Sequence, residues 1–243
     1  MERVSGKVLL ALAAALATCL IATAATFAQR ADAPLPPNVQ MSFAAQPAPI
    51  PVPSEGRMPV SLRLAASISL EDGSHPPAAS RLRFDLDRRF RLDLGDVPAC
   101  PSGIRSQGRT GRDPCPEARI ASGRSGWEVL FPGQEPIRAE GPTTAYKIAR
   151  DRMAIRAFVT GPVAGDVVIA AQLSRAPAGS PYGIRVTASI PRVAGRNGSL
   201  LYLGLRFRKG LFSVACPQRK LQSGLATTFA DGTLVSIADT TVC

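Results

Sequence analysis

The chain has 243 residues, with 25 arginines and four lysines against 18 acidic residues, for a net charge of +11. One histidine is too few for a histidine-rich metal centre, and three tyrosines with one tryptophan make no platform for stacking nucleobases, so specific nucleic-acid recognition is not expected. The basic balance points to anionic partners.

Arg3 and Lys7 lead into residues 8–27, which carry no charge and are dominated by Ala and Leu. Small-residue cleavage sites follow at Ala22-Thr23-Ala24, Thr26-Phe27-Ala28 and Ala31-Asp32-Ala33. This is the pattern of a secretory signal over residues 1–28. An uncleaved anchor is the alternative, since about 20 apolar residues can span a bilayer. Lipid attachment at Cys19 is disfavoured by Thr18 before it and by the apolar residues that continue after it. The expected location is secreted or in the cell envelope.

Residues 29–59 hold eight prolines. Proline fixes φ and donates no backbone hydrogen bond, so the segment is expected to be an extended tether or edge segment, with residues 39–43 as a candidate first strand. From Val60 to the C-terminus at residue 243, alternation dominates. Leu62, Leu64, Ala66 and Ile68 alternate with Arg63, Ser67 and Ser69. Leu82, Phe84 and Leu86 alternate with Arg83, Asp85 and Asp87, and Phe90, Leu92 and Leu94 with Arg91 and Asp93. Ile184, Val186 and Ala188 form a further run, as do Leu201, Leu203, Leu205 and Phe207. Period two with one apolar face marks antiparallel strands covered on one side.

Turn signals separate the runs, among them Asp72-Gly73, Pro132-Gly133, Asn197-Gly198 and Asp231-Gly232. Asn197-Gly198 and Asp231-Gly232 suit tight hairpins, whose central residues need positive φ. Residues 144–158 are the one helix candidate, and they suit a strand equally well. The expected fold is therefore all-β, an antiparallel β-sandwich or jelly-roll-like domain.

Four cysteines lie in this β body. An even set behind an export signal reads as two disulfides, which allow three pairings. Cys100–Cys115 and Cys216–Cys243 are favoured because each closes a local loop. Zinc binding and thiol redox chemistry are disfavoured, because no Cys-x-x-Cys pair exists.

Gly95-Asp96-Val97-Pro98-Ala99-Cys100-Pro101 and Cys115-Pro116-Glu117-Ala118-Arg119-Ile120 resemble a pattern in uncharacterised exported proteins of high-GC actinobacteria. So do Ile190-Pro191-Arg192-Val193-Ala194-Gly195, Ala215-Cys216-Pro217 and Phe229-Ala230-Asp231-Gly232-Thr233. The resemblance covers residues 58–243. It implies export and a β fold and carries no activity.

Catalytic candidates are few. His75 lies in Ser74-His75-Pro76-Pro77, where adjacent Ser74 cannot easily point at the imidazole, so His75 reads as a plain loop residue. Asp85, Asp87 and Asp93 alternate with arginines and read as a salt-bridged solvent face rather than as a glycosidase carboxylate pair. No calcium-loop signature and no nucleotide-binding glycine motif is present, and no cofactor is expected. Asn197-Gly198-Ser199 matches a glycosylation sequon but reads as a turn. Trp127, beside Val129 and Phe131, reads as core, which weakens carbohydrate binding. Arg105, Arg109 and Arg112, with Gly103, Gly108 and Gly111 between Pro101 and Pro114, are the candidate anion-binding residues. The expected function is a non-enzymatic exported domain whose basic surface meets anionic envelope polymers, lipid headgroups or another protein. A carboxylate-dependent, glycosidase-like hydrolase is the alternative.

Overall fold

The alternating runs become strands. The computed structural model describes residues 38–101, 104, 113–159 and 165–243, all within the unit Pro36–Cys243. The expected signal segment with Cys19, and Arg105, Arg109 and Arg112, lie outside the described residues. The strands are β1 (Val39–Ala48), β2 (Met58–Leu70), β3 (Ala79–Asp87), β4 (Arg91–Leu92), β5 (Arg119–Val129) and β6 (Ile137–Lys147). They continue with β7 (Arg152–Val159), β8 (Gly165–Arg175), β9 (Tyr182–Ser189), β10 (Gly198–Val214), β11 (Lys220–Phe229) and β12 (Leu234–Val242). The expected all-β antiparallel fold with two disulfides is what the structure shows.

One antiparallel sheet runs in the order β1-β2-β10-β5-β6-β7-β8-β9-β3-β11-β12, and β4 pairs with β10. The two end strands come back together: the Thr241 hydroxyl on β12 donates to Ala45 O on β1 at 3.1 Å, so the sheet nearly closes. Closure leaves few strand edges open to other chains. The inward side chains fill the interior, among them Leu62, Leu82, Leu86, Ile120, Ile155 and Ile169, all fully buried. Phe212 packs edge-on against Phe90 and Phe207, with ring centroids 6.2 and 5.3 Å away. Trp127 is core, as read from the sequence, and its indole N–H donates to Ser125 Oγ at 3.1 Å.

Cys100 pairs with Cys115 and Cys216 with Cys243, with Cα separations of 5.7 and 6.4 Å. The second bridge fastens the end of β12. Beside it, the Val52 amide donates to Cys243 O at 2.9 Å and the Cys216 amide to Pro53 O at 2.8 Å.

The structure corrects or narrows the expectations for five segments. Of the segment expected over 29–59 as a tether or edge segment, residues 39–48 form the strand at one end of the sheet order, longer than the candidate 39–43. Residues 39–48 pair along their whole length with β2, and Phe43, Ala45 and Val52 are buried, so apolar burial outweighs the proline content. Asn197-Gly198 is not a hairpin. It follows a 3-10 turn, Ala194–Arg196, and opens β10, whose neighbours are β2 and β5 rather than β9. Asp231-Gly232 does join β11 to β12, but only Gly232 takes positive φ, so it is not the expected tight turn. Of the 90–94 run only Arg91–Leu92 is strand, while Phe90 and Leu94 are anchored as buried loop residues. Residues 144–158 are strands β6 and β7 with a turn between them.

Candidate functional site

Four connections meet at one end of the sheet: the turn after β3, strand β4, the β6–β7 turn and the β8–β9 turn. Between them lies a groove of 1360 Å³. Arg88 follows β3, Arg91 lies in β4, Arg150 lies in the β6–β7 turn and Arg175 ends β8; all four line the groove and are exposed. None has an ion-pair partner among the described residues. Two carboxylates share the groove, Asp93 and Asp151, and each is engaged by a neutral donor. Gly95 N donates to Asp93 at 2.8 Å, and Gln172 Nε2 to Asp151 at 2.7 Å. Lys147 is committed inward, its ammonium donating to Leu94 O at 2.7 Å and Val97 O at 2.6 Å. The floor is apolar, formed by Phe90, Leu94 and Ile184.

Backbone contacts hold these connections in place. Arg88 N donates to Pro181 O at 3.0 Å, Leu173 N to Asp151 O at 2.7 Å and Asp93 N to Leu211 O at 2.9 Å. Gly183 on β9 lets the Arg88 turn lie close, since a Cβ there would stand 2.7 Å from Arg88 Cα. Unpaired guanidinium groups over an apolar floor in a concave site favour an oxyanion, because each planar fork donates two hydrogen bonds at once.

The opposite end carries a hydrogen-bonded chain that the sequence reading missed. Ser199 and Glu128 are cross-strand partners on β10 and β5, and the β2–β3 loop lays His75 over them. Ser199 Oγ is 3.0 Å from His75 Nε2, and His75 Nδ1 is 2.8 Å from Glu128 Oε1. Arg138, the partner of Glu128 on β6, donates to Oε2 at 2.7 Å. His75 is thus no plain loop residue. The Glu128 carboxyl is held below its ordinary pKa: burial pushes it up, but the hydrogen bonds from Arg138 and His75 and their charges outweigh that.

The order serine–histidine–carboxylate is that of a nucleophile, its base and the group that orients the base. Accessibility and proton bookkeeping speak against that use. Ser199 is 0% exposed, and its hydroxyl donates to Pro76 O at 2.6 Å. A hydroxyl owns one hydrogen. With it directed to Pro76 O, Nε2 has to be the donor toward Ser199, the reverse of what a nucleophile needs. The chain pins the β2–β3 loop to β5 and β10.

Of the other carboxylates read from the sequence, Asp85 and Asp87 are engaged in ion pairs, as expected, but lie under their arginines rather than on an open face, whereas Asp93 is held by the Gly95 amide. Asp85, 4% exposed, receives two hydrogen bonds from Arg185, at 2.7 and 3.1 Å, and faces Arg83. Asp87, 1% exposed, accepts from Arg89 Nε at 2.9 Å and from Gln222 N at 2.8 Å. Asp93 is exposed and borders the groove. Among the described residues no group of three or more His, Cys, Asp and Glu side chains is placed to hold a metal ion, and no helix is long and apolar enough to cross a membrane.

Arg91 was visible in the sequence as one member of an alternating run. Arg88, Arg150 and Arg175 stand next to turns and carry no local mark of a shared site. No family model, no curated protein and no solved structure matches the chain.

Proposed function

We propose that the chain is an exported, non-enzymatic domain of the cell envelope that binds phosphate- or carboxylate-bearing partners in the groove of Arg88, Arg91, Arg150 and Arg175. One observation carries this reading: four exposed guanidinium groups without ion-pair partners among the described residues converge on a concave site of 1360 Å³. The test is cosedimentation of the purified chain with vesicles of phosphatidylcholine containing phosphatidylglycerol, and titration with polyphosphate, at rising salt. Binding to either probe should weaken with salt. It should fall at least tenfold when the four arginines become glutamine. Equal binding by wild type and variant, or no binding to either probe, overturns the reading.

A second reading, hydrolysis by Ser199 with His75 as its base and Glu128 behind it, draws on the hydrogen-bond order described above. The burial of Ser199 and its bond to Pro76 O weigh against it. Exposure to a fluorophosphonate probe decides. Labelling of Ser199 that is lost in His75→Gln favours the enzyme, and absence of labelling leaves the chain of hydrogen bonds a structural one. A glycosidase-like carboxylate pair has less support, since Asp85 and Asp87 are both buried beneath arginines.

A further inference from the structure

The outer face of β2, β10 and β5 carries a second cationic feature, which shares no lining residue with the groove. The strand register sets Arg63 of β2 directly opposite Arg206 of β10. Both are exposed, and neither has a hydrogen-bond or ion-pair partner among the described residues. Like charges directly opposite each other across antiparallel strands destabilise the sheet. The same row offers no relief, because its next members are Gln46 on β1 and Ser122 on β5, neither of them acidic.

Beside this pair the sheet is hollow. The next outward row is Ala65 on β2, Gly204 on β10 and Arg124 on β5. A Cβ built on Gly204 would meet nothing closer than Arg124 O at 3.7 Å, and Gly204 is not among the positive-φ glycines, so the fold leaves room here without a conformational need for glycine. A hollow of 550 Å³ results. Its far wall is Tyr202, whose ring lies so close over Gly126 that a Cβ there would be 2.2 Å from it. Arg124 lies beside Tyr202 and 3.6 Å from Glu140, so unlike Arg63 and Arg206 it has an acidic neighbour. The uncompensated charge rests on Arg63 and Arg206 alone.

We infer that this hollow is a second ligand site, taking a flat ligand with one oxyanion, an aryl phosphate or aryl carboxylate. The oxyanion bridges the Arg63 and Arg206 guanidinium groups. The ring of the ligand lies on Ala65 and Gly204 against Tyr202. The paired arginine forks supply the charge-assisted hydrogen bonds that such an anion needs. Both arginines also border a smaller hollow of 390 Å³ toward Thr241, and the Gly204 position tells the two sides apart.

The test titrates the full chain, both disulfides formed, with phenyl phosphate and benzoate, each competed by inorganic phosphate, while thermal unfolding is followed in parallel. Arg63→Gln and Arg206→Gln should each weaken binding at least tenfold, and each should raise the Tm of the ligand-free protein by removing the like-charge pair. Gly204→Leu fills the hollow without touching either arginine; it should abolish binding with the far-UV spectrum unchanged. These titrations use the fourfold groove variant as background, so that probe bound in the groove does not contribute, and that background should itself bind the probes. The inference fails if neither probe binds, if the arginine variants raise Tm but bind as their background does, or if Gly204→Leu binds normally. Loss of binding in the groove variant alone would move the probe to the groove and also overturn the second site.

Discussion

At the scale of residues, the chain's one histidine shows how position in the fold overrides local context. Ser74 is adjacent to His75 in sequence and bonds Asp72 instead, at 2.7 Å. The serine that reaches the imidazole is Ser199, 124 positions away. Its meeting with Glu128 is set by the β5–β10 register, which shifts at Leu200/Tyr202, and no local pattern encodes that shift. Glu128 is the member on which the others depend, being buried with Arg138 and His75 as its partners. A hydrogen bond to a charged group contributes about 1.5–3 kcal/mol, and Arg138 is largely exposed, which places this one at the lower end. Glu128→Gln should therefore destabilise the fold by about that amount, read from urea unfolding at neutral pH. The sign of the pH dependence follows from the lowered pKa. The folded carboxyl ionises below its unfolded range, so its contribution is fully present above that range and is lost as pH falls through the folded value. Glu128→Gln should accordingly flatten the acid limb of the stability curve. A parallel, undiminished acid limb in the variant would show that the pair contributes nothing specific.

At the scale of elements, alternation made β2, β3, β9 and β10 legible, but not β5, β8, β11 and β12. Where it misled, the cause was physical. The prolines of 29–59 suggested a tether or edge segment, and within it β1 pairs with β2 from Val39 through Ala48 and buries Phe43 and Ala45. The register shift in β10 puts Leu203, Leu205 and Phe207 inward while Leu201 drops out of phase, a slip that a strict two-residue period cannot foresee. The disulfide pairs were legible because each spans a short loop, whereas the groove was not, because its arginines come from four separate connections. Glycines on neighbouring strands give the sharpest check on this packing. A Cβ on Gly123 of β5 would stand 1.9 Å from the backbone oxygen of Gly204, while one on Gly204 meets only ordinary contact at 3.7 Å. Overpacking of this kind costs about 2–3 kcal/mol. Alanine at Gly123 should lower the urea midpoint accordingly, and alanine at Gly204 should leave it unchanged or raise it slightly through the reduced entropy of the unfolded chain. Equal effects at the two positions would contradict the close β5–β10 approach.

At the scale of the whole molecule, a nearly closed sheet must be held at its seam. Between β1 and β12 the fastening consists of the Thr241–Ala45 hydrogen bond, the bond from Val52 to Cys243 O, and the Cys216–Cys243 bridge that ties the last residue to the segment after β10. The other bridge, Cys100–Cys115, fastens a connection at the groove end, where Cys100 N donates to Lys147 O at 2.9 Å, and takes no part in closure. The two disulfides should therefore differ in kind. A bridge closing a loop of this length contributes about 3–4 kcal/mol in the chain-entropy model. Replacing Cys216 and Cys243 together by serine should cost that amount and, beyond it, speed hydrogen exchange along β12 and β1, since the seam opens locally before the molecule unfolds. Opened edges are templates for intermolecular pairing, so this variant should also aggregate on mild heating. The double serine variant at Cys100 and Cys115 should leave exchange in β1 and β12 as it is and confine its effect to the residues around the groove. Protection of β1 and β12 that survives loss of the Cys216–Cys243 bridge would mean that packing of the buried Ala45 and Val52 closes the sheet by itself.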